Sequence, residues 1–254
     1  TAIKAGVIIQ NEKKKGFKSE KKLVGSSEAS RIVTKVDRIV ESFILNALSD
    51  AVDKFDLGVL TEEIPDDGTR FEKQYFWCID PLDGTLPFSE GKSGYSVSIS
   101  LVSKSGVSVI GVVYDPVNNI IYSAAKGLGA TKNGNKLMKS PLKNEQFTLV
   151  TDRSFSSSID KHLIIKKFKD QHNEILVKCI GGAVLNALWV VENQPSCYFK
   201  SIKNEIGGGS IWDFSSTACI AIEAGCEVFD SKGNSLNLNA KNSTFMNDVG
   251  VSFT

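Results

Sequence analysis

Asp80 and Asp83 stand three positions apart in the run Trp77-Cys78-Ile79-Asp80-Pro81-Leu82-Asp83-Gly84-Thr85, a β-type stretch that ends in a glycine turn. Two carboxylates so placed at the end of a strand can converge on one divalent cation. The amides of Gly84 and Thr85 that follow can face a bound phosphate. The chemistry such a set would serve is metal-assisted phosphoryl transfer. Further acids along the chain could complete it: Glu62-Glu63 after the apolar run Leu57–Leu60, Asp37 in Thr34-Lys35-Val36-Asp37, and Asp213 ahead of Phe214–Ala224. Each also has an ordinary structural use. Asp83-Gly84 suits a turn, Glu62-Glu63 a solvated surface, Thr34-x-x-Asp37 a capping box and Asp213 an N-cap.

The histidine count narrows the chemistry. Only His162 and His172 occur, both in a lysine-rich stretch. A zinc site built on imidazole or a Ser-His-Asp triad has almost no material, so a metal would be held by carboxylates and carbonyls, as suits Mg²⁺ or Mn²⁺. Thirty basic and 29 acidic residues nearly cancel over 254, leaving no global field toward nucleic acid or an anionic membrane. The six lysines from Lys13 to Lys22 read as a solvated loop. Five cysteines without a C-x-x-C pair fit reduced, buried thiols in a cytoplasmic protein. No apolar run approaches the ~20 residues of a membrane span, and no secretory signal opens the chain. Residues Thr1–Ile9 read as the tail of a helix whose start is missing.

These candidate ligands must be positioned by elements that the patterning outlines. Val36, Ile39, Val40, Phe43, Ile44, Ala47 and Leu48 recur at helical spacing and predict a helix from Val36 to about Asp50. Strand patterns follow at Tyr75–Leu82, Tyr95–Val102, Val107–Tyr114 and Ile120–Ala124, and Asn133-Gly134 signals a hairpin turn. Beyond about Leu142 strands and helices alternate. Strands are expected at Phe147–Thr151, Val177–Ile180, Cys197–Ile202, Cys226–Asp230 and Asp248–Phe253. Helices are expected at Ser157–Gln171, Gly182–Glu192 and Phe214–Ala224. This divides the chain into residues 1–142, helices plus a mostly antiparallel sheet carrying most of the acids, and 143–254, an α/β part contributing Asp213.

Taken together, the motifs resemble the inositol monophosphatase-like superfamily of metal-dependent phosphatases. That superfamily has a V-T-x-x-D element, a Glu-Glu pair after a strand, W-x-x-D-P-[IL]-D-G-T, and W-D before a helix of small residues. Here these are Val33 to Asp37, Glu62-Glu63, Trp77 to Thr85 and Trp212-Asp213, in the same order. Gly111 to Pro116, Gly127 to Ala130 and Glu223-Ala224-Gly225 match as well. The resemblance implies an α/β (α+β) fold, a layered αβαβα sandwich of two closely packed subdomains. It also implies Mg²⁺, two or three ions per site, and inhibition by Li⁺. Glu62, Asp80 and the Leu82 carbonyl would hold one ion, and Asp80, Asp83 and Asp213 a second. Glu62 and Thr85, the latter supported by Asp37, would position the attacking water, which the metal activates. The Gly84 and Thr85 amides would grip the phosphate. The partner would be a small phosphorylated substrate, with no nucleic acid polymer and no membrane, and the protein would be a homodimer.

Two substrate readings follow. Asp83 to Gly91, Tyr95 to Ile99, Gly181-Gly182-Ala183 and the tail from Asp230 to Asn247 are similar to 3'(2'),5'-bisphosphate nucleotidases, although Leu86-Pro87 replaces their Lys-Glu. In that reading the long segment Ser201–Ser210 rims the site, with Gly182, Ala183 and Asp213 against the substrate. The alternative is an inositol-1-phosphate phosphatase, for which Asn186 and the glycine pairs also speak and Glu205 would grip the inositol hydroxyls. A third reading, of a different class, is an inactive binding relative, against which every expected carboxylate is present.

Overall fold

A computed structural model of the chain describes residues 1–16, 19–21, 32–141, 146–157, 160–172, 174–204 and 209–254. The chain opens with helix α1 (Ala2–Lys15), then short strands β1 (Ser19–Lys21) and β2 (Ile32–Thr34), and the long helix α2 (Lys35–Phe55). Strand β3 (Gly58–Thr61), helix α3 (Thr69–Glu72), strand β4 (Tyr75–Asp83) and helix α4 (Thr85–Ser89) lead into β5 (Ser96–Ser103), β6 (Ser108–Asp115) and β7 (Ile120–Ala125). The hairpin β8 (Gly129–Lys132) and β9 (Asn135–Leu137) completes one sheet of seven strands in order β3-β4-β5-β6-β7-β8-β9. Only β3 and β4 pair parallel within it.

The rest of the chain builds a second sheet, ordered β11-β10-β12-β14-β13. Its strands are β10 (Phe147–Val150), β11 (Ile175–Lys178), β12 (Ser196–Lys200), β13 (Val228–Phe229) and β14 (Val251–Phe253). Helices α5 (Lys161–Lys169), α6 (Ala183–Glu192) and α7 (Ile211–Glu223) lie between them in the chain. β10 runs parallel to both β11 and β12, and the other pairs are antiparallel.

Strand periodicity sorts the layers, because alternate residues point to opposite faces. In the first sheet Ile79, Val97, Ile99 and Tyr114 share a core with Ala5 and Ile9 of α1 and Val36, Val40 and Ile44 of α2. The opposite face presents Phe76, Cys78, Val102 and Val113 to α6 and α7. Beyond those helices lies the inner face of the second sheet, with Val150, Tyr198 and Phe253 in the same core. On its outer face Phe147, Leu149 and Cys197 are covered by Ile164 and Phe168 of α5. The order is helix, sheet, helix, sheet, helix, the layered sandwich that the sequence predicts.

Several boundaries differ from expectation. α2 runs to Phe55, with Ala47 exposed and two acids, Asp37 and Glu41, buried on its apolar face. α1 continues through Lys15, so the first half of the expected basic loop is the last turn of a helix, and Lys13 reaches the Tyr95 hydroxyl at 3.2 Å. The expected helix over Ser157–Gln171 is α5, preceded by a 3-10 turn at Arg153–Ser157. Strands β11, β12, β13 and β14 are shorter than predicted or begin at other residues. Cys179 is exposed, whereas the other four thiols are buried. None of the described helices is long and apolar enough to cross a membrane.

Candidate active site

The site is built where β4 ends. In a regular strand Asp80 and Asp83, an odd number of residues apart, would face opposite sides of the sheet. The pairing with β5 shifts here: Asp80 lies opposite Ser98 and Asp83 opposite Ser96, three steps on one strand against two on the other. That extra residue is a β-bulge, and Pro81, which has no N–H to give a ladder, falls within it. The bulge puts both carboxylates on one side. Asp80 folds back to accept the Leu82 amide at 3.0 Å.

Gly84 then turns the chain in the left-handed region, φ 82° and ψ 38°, where a β-carbon would also lie 2.5 Å from the Gly94 carbonyl oxygen. Thr85 begins α4. Its hydroxyl lies 3.1 Å from Asp37 Oδ1 and 3.0 Å from the Leu82 carbonyl, one proton between two acceptors. Asp37, 1% exposed, is one of the two acceptors of the Thr85 hydroxyl. Leu86 and Pro87, where the nucleotidases have Lys-Glu, are buried together with Phe88.

Two helices of the middle layer meet these acids from the other side. The Ala183 and Val184 amides at the start of α6 donate to Asp83 Oδ1 and Oδ2 at 3.0 and 3.2 Å. This placement is favoured by the helix dipole as well as by the bonds. Gly182 permits the approach, since a β-carbon there would stand 2.2 Å from Asp83 Oδ2. The Gly182 amide donates to Gly94 O at 2.8 Å. Both residues expected to face substrate, Gly182 and Ala183, thus use their amides within the protein. Asn186 accepts the Ile180 and Gly181 amides and so fixes the turn before α6. Asp213 sits in the first turn of α7, where Ser210 rather than Asp213 is the N-cap. The two form a capping box, the Ser210 amide donating to Asp213 Oδ2 at 2.5 Å. Ser98 and Ser216, and Ser100 and Ser215, bond side chain to side chain at 2.6 Å and set the height of α7 on β5.

Oxygen atoms of Asp80, Asp83 and Asp213 lie within 4.8 Å of one another, with Asp80 and Asp83 buried. Glu62 follows β3, whose parallel register pairs Thr61 with Ile79, so Glu62 comes next to Asp80. It is half-buried and stands outside the tight group of three. The turn that carries it is held by Glu41, which accepts the Thr61 hydroxyl at 2.6 Å and the Glu63 amide at 3.1 Å. Sequence reading passed over Glu41. The available signal was an acid four residues after Asp37, on the same face of α2. It also passed over Asp152 and Lys200, which bond at 3.0 Å beside the cluster. Glu205 lies outside the described residues.

Burial pushes Asp80 well above the usual carboxylate range, with the charges of Glu62, Asp83 and Asp213 adding to it. Burial and Asp213 do the same to Asp83. Asp213 is pushed up to about 6 by burial, against the pull of Lys200 and with the push of Glu62. Three carboxylates gathered in a dry place oppose one another unless a cation joins them. An all-oxygen donor set of this kind fits Mg²⁺.

The sequence matches the inositol monophosphatase family over residues 1–250. The chain belongs to that family. It is 29% identical to the 3'(2'),5'-bisphosphate nucleotidase CysQ of Escherichia coli K12, over 85% of this chain and 82% of that protein. It is 30% identical to the fructose-1,6-bisphosphatase/inositol-1-monophosphatase of Thermotoga maritima, over 96% of this chain and 84% of that one. The crystal structure of the extragenic suppressor protein suhB from Bartonella henselae matches with a TM-score of 0.75 at 25% identity, covering 99% of this chain and 90% of the other. Identities this level do not choose between nucleotide and inositol phosphate. Family and buried acidic cluster together define a Mg²⁺-dependent phosphatase acting on small phosphate esters.

Proposed function

We propose that the chain removes the 3'-phosphate of adenosine 3',5'-bisphosphate to give AMP, by direct attack of water. The convergence of Asp80, Asp83 and Asp213 carries the reading, and the nucleotidase-like segments Asp83–Gly91 and Tyr95–Ile99 support the choice of substrate. Asp80, Asp83 and Asp213, with Glu62 and the Leu82 carbonyl, would hold two or three Mg²⁺. When bound, Mg²⁺ supplies positive charge against the phosphoryl oxygens and lowers the pKa of water.

The chain's own groups orient and deprotonate. Thr85, its hydroxyl proton given to Asp37 or the Leu82 carbonyl, leaves oxygen lone pairs to accept a hydrogen bond from the attacking water. The Glu62 carboxylate takes the water's proton, in a turn that Glu41 keeps fixed. The Gly84 and Thr85 amides, at the start of α4, bind the phosphate. Family resemblance adds Li⁺ inhibition and a homodimer to the proposal, and the cysteine usage adds a cytoplasmic location.

Phosphate release from adenosine 3',5'-bisphosphate and from inositol 1-phosphate, side by side in Mg²⁺ and with added Li⁺, tests it. The expected result is preference for the nucleotide and loss of turnover in Li⁺. Preference for inositol phosphate would replace the substrate, and release from neither would leave a different phosphate ester or the inactive relative, which Mg²⁺ binding would separate.

A further inference from the structure

Residues Gly91 to Tyr95 form an irregular stretch between α4 and β5, and both halves of the site rest on it. Gly94 is the point of contact. Its carbonyl oxygen faces Gly84, where a β-carbon would stand 2.5 Å away, and it accepts the Gly182 amide at 2.8 Å. A β-carbon on Gly94 would itself stand 2.8 Å from the Gly181 Cα. Backbone therefore stacks on backbone through Gly84, Gly94 and Gly181. On one side of Gly94 lies the Gly84-Thr85 turn, and on the other the α6 amides that donate to Asp83. Tyr95 extends the support. Its buried ring meets Phe88 of α4 edge to face, centroids 5.1 Å apart, and the Phe88 amide donates to Gly84 O at 3.1 Å. Ser96, the next residue, pairs opposite Asp83.

Gly91 and Lys92 lie outside the β5 ladder, and the side chain that reaches their carbonyls is Lys13 of α1. Its ammonium stands 3.1 Å from Gly91 O, 3.4 Å from Lys92 O and 3.2 Å from the Tyr95 hydroxyl. The same ammonium lies over the rings of Tyr95 and Phe88, 4.9 and 5.8 Å from their centroids. Gln10, one turn earlier on that face of the helix, donates to the Tyr95 hydroxyl at 3.0 Å. Lysines in a last helical turn ordinarily face water, where the helix dipole favours them. Lys13 is half-buried and spends its donors on uncharged oxygens of one segment.

We propose that Lys13 is a positioning residue which, through the Gly91–Tyr95 segment, holds Gly94 between the Gly84-Thr85 turn and the start of α6, and so keeps that turn and Asp83 in register. For turnover the assignment rests on the phosphatase reading above, but for the placement of Asp83 it does not.

The test compares wild type with Lys13→Met, which keeps the stem and deletes the charge, and Lys13→Arg, which restores a cation. Lys14→Met, at an exposed neighbour, is the control. Hydrogen exchange in EDTA reads the contact without metal or turnover. In Lys13→Met the Gly182 amide is expected to exchange about tenfold faster, while amides in the middle of α7 change by less than about twofold. The Mg²⁺ concentration for half the maximal Tm shift should rise about threefold or more. On adenosine 3',5'-bisphosphate kcat should fall about tenfold, since small misplacements at a reacting centre are costly. Lys13→Arg should recover most of each quantity, and Lys14→Met should match wild type. If wild type cleaves no phosphate ester, yet Lys13→Met still speeds Gly182 exchange and raises the Mg²⁺ midpoint, the phosphatase reading fails and the positioning role stands. If Lys13→Met only lowers the melting temperature, with Gly182 exchange following the rest of the fold and the Mg²⁺ midpoint and kcat unchanged, Lys13 is a structural anchor and the inference is overturned. Tyr95→Phe keeps the ring and deletes one of the acceptors. Its Gly182 exchange, expected to rise about threefold, decides the matter even if Lys13→Met does not fold.

Discussion

Asp80 shows in one residue how a binding site opposes the stability of the fold that carries it. Its Oδ1 accepts the Leu82 amide, but burial and three neighbouring acids weigh against its charge. A carboxyl whose pKa is higher folded than unfolded binds its proton more tightly in the native state. That contribution is whole below the unfolded value and is lost as pH rises to the folded one. For Asp213 the window runs from 3.8 to about 6, and the raised carboxyls of Asp80 and Asp83 act in the same direction. Protein in EDTA is therefore expected to melt at a lower temperature at pH 8 than at pH 5.5. Asp80→Asn keeps the Oδ1 acceptor and deletes the charge. In EDTA at pH 8 it should melt above wild type, by on the order of 1–2 kcal/mol or about 2–8 °C, and Mg²⁺ should no longer raise its Tm. A variant that melts below wild type in EDTA contradicts the account. Thr85 acts on a different axis. Thr85→Val leaves the three aspartates in place, so the Tm shift with Mg²⁺ should persist while kcat falls by about 10²–10⁴; near-normal turnover would remove Thr85 from the mechanism.

Among the elements, the β4 bulge and the amino end of α6 fix the site together, and they differ in how well they can be read from sequence. The helical spacing of Val36 to Leu48 gives α2, and alternation gives β4 to β7. The bulge is invisible to alternation, since it is a break in alternation that only the partner strand reveals. The α7 start was misplaced by three residues because Asp213 suits an N-cap, while the sequence Ser210-x-x-Asp213 is itself a capping box. Asp37, Asp80, Asp83, Thr85 and Asp213 were legible because the motifs carry them in order. Glu41, Asp152 and Lys200 were not, because each acquires its partner from an element distant in the chain. The α6 contact makes a direct prediction. Gly182→Ala would drive a β-carbon to 2.2 Å from Asp83 Oδ2, so either the carboxylate or the helix must move. The expected cost is about 1–3 kcal/mol in stability, with a rise in the Mg²⁺ concentration needed for half the maximal Tm shift. An unchanged Mg²⁺ midpoint would show that the Asp83–α6 contact does not position the site.

Across the whole molecule the acidic cluster draws on both sheets' surroundings: Asp80 and Asp83 from the end of β4, Asp213 from α7, and the amides of α6 beneath Asp83. Residues 58–137 supply the first sheet and residues 147–253 the second, with α6 and α7 between them. A cation bound by Asp80, Asp83 and Asp213 therefore bonds at once to the first sheet and to the middle layer. Binding should tighten their packing rather than stiffen one loop. At a Mg²⁺ concentration 100 times its Kd, binding to the native state alone adds about 2.7 kcal/mol, or roughly 5–10 °C for a chain of this size. The distribution of that gain is the sharper test. Hydrogen exchange with and without Mg²⁺ should show added protection at the Leu82 amide of β4, the Ala183 and Val184 amides of α6 and the Ser210 amide of α7, all bonded to the three aspartates. The exposed Glu90–Arg153 ion pair also links the two halves, at 2.6 Å, but an exposed pair contributes ~0–1 kcal/mol. Arg153→Ala should leave the Mg²⁺-induced protection in place. Protection confined to β4 would mean that the cation is held by the first sheet alone, and that Asp213 is not one of its ligands.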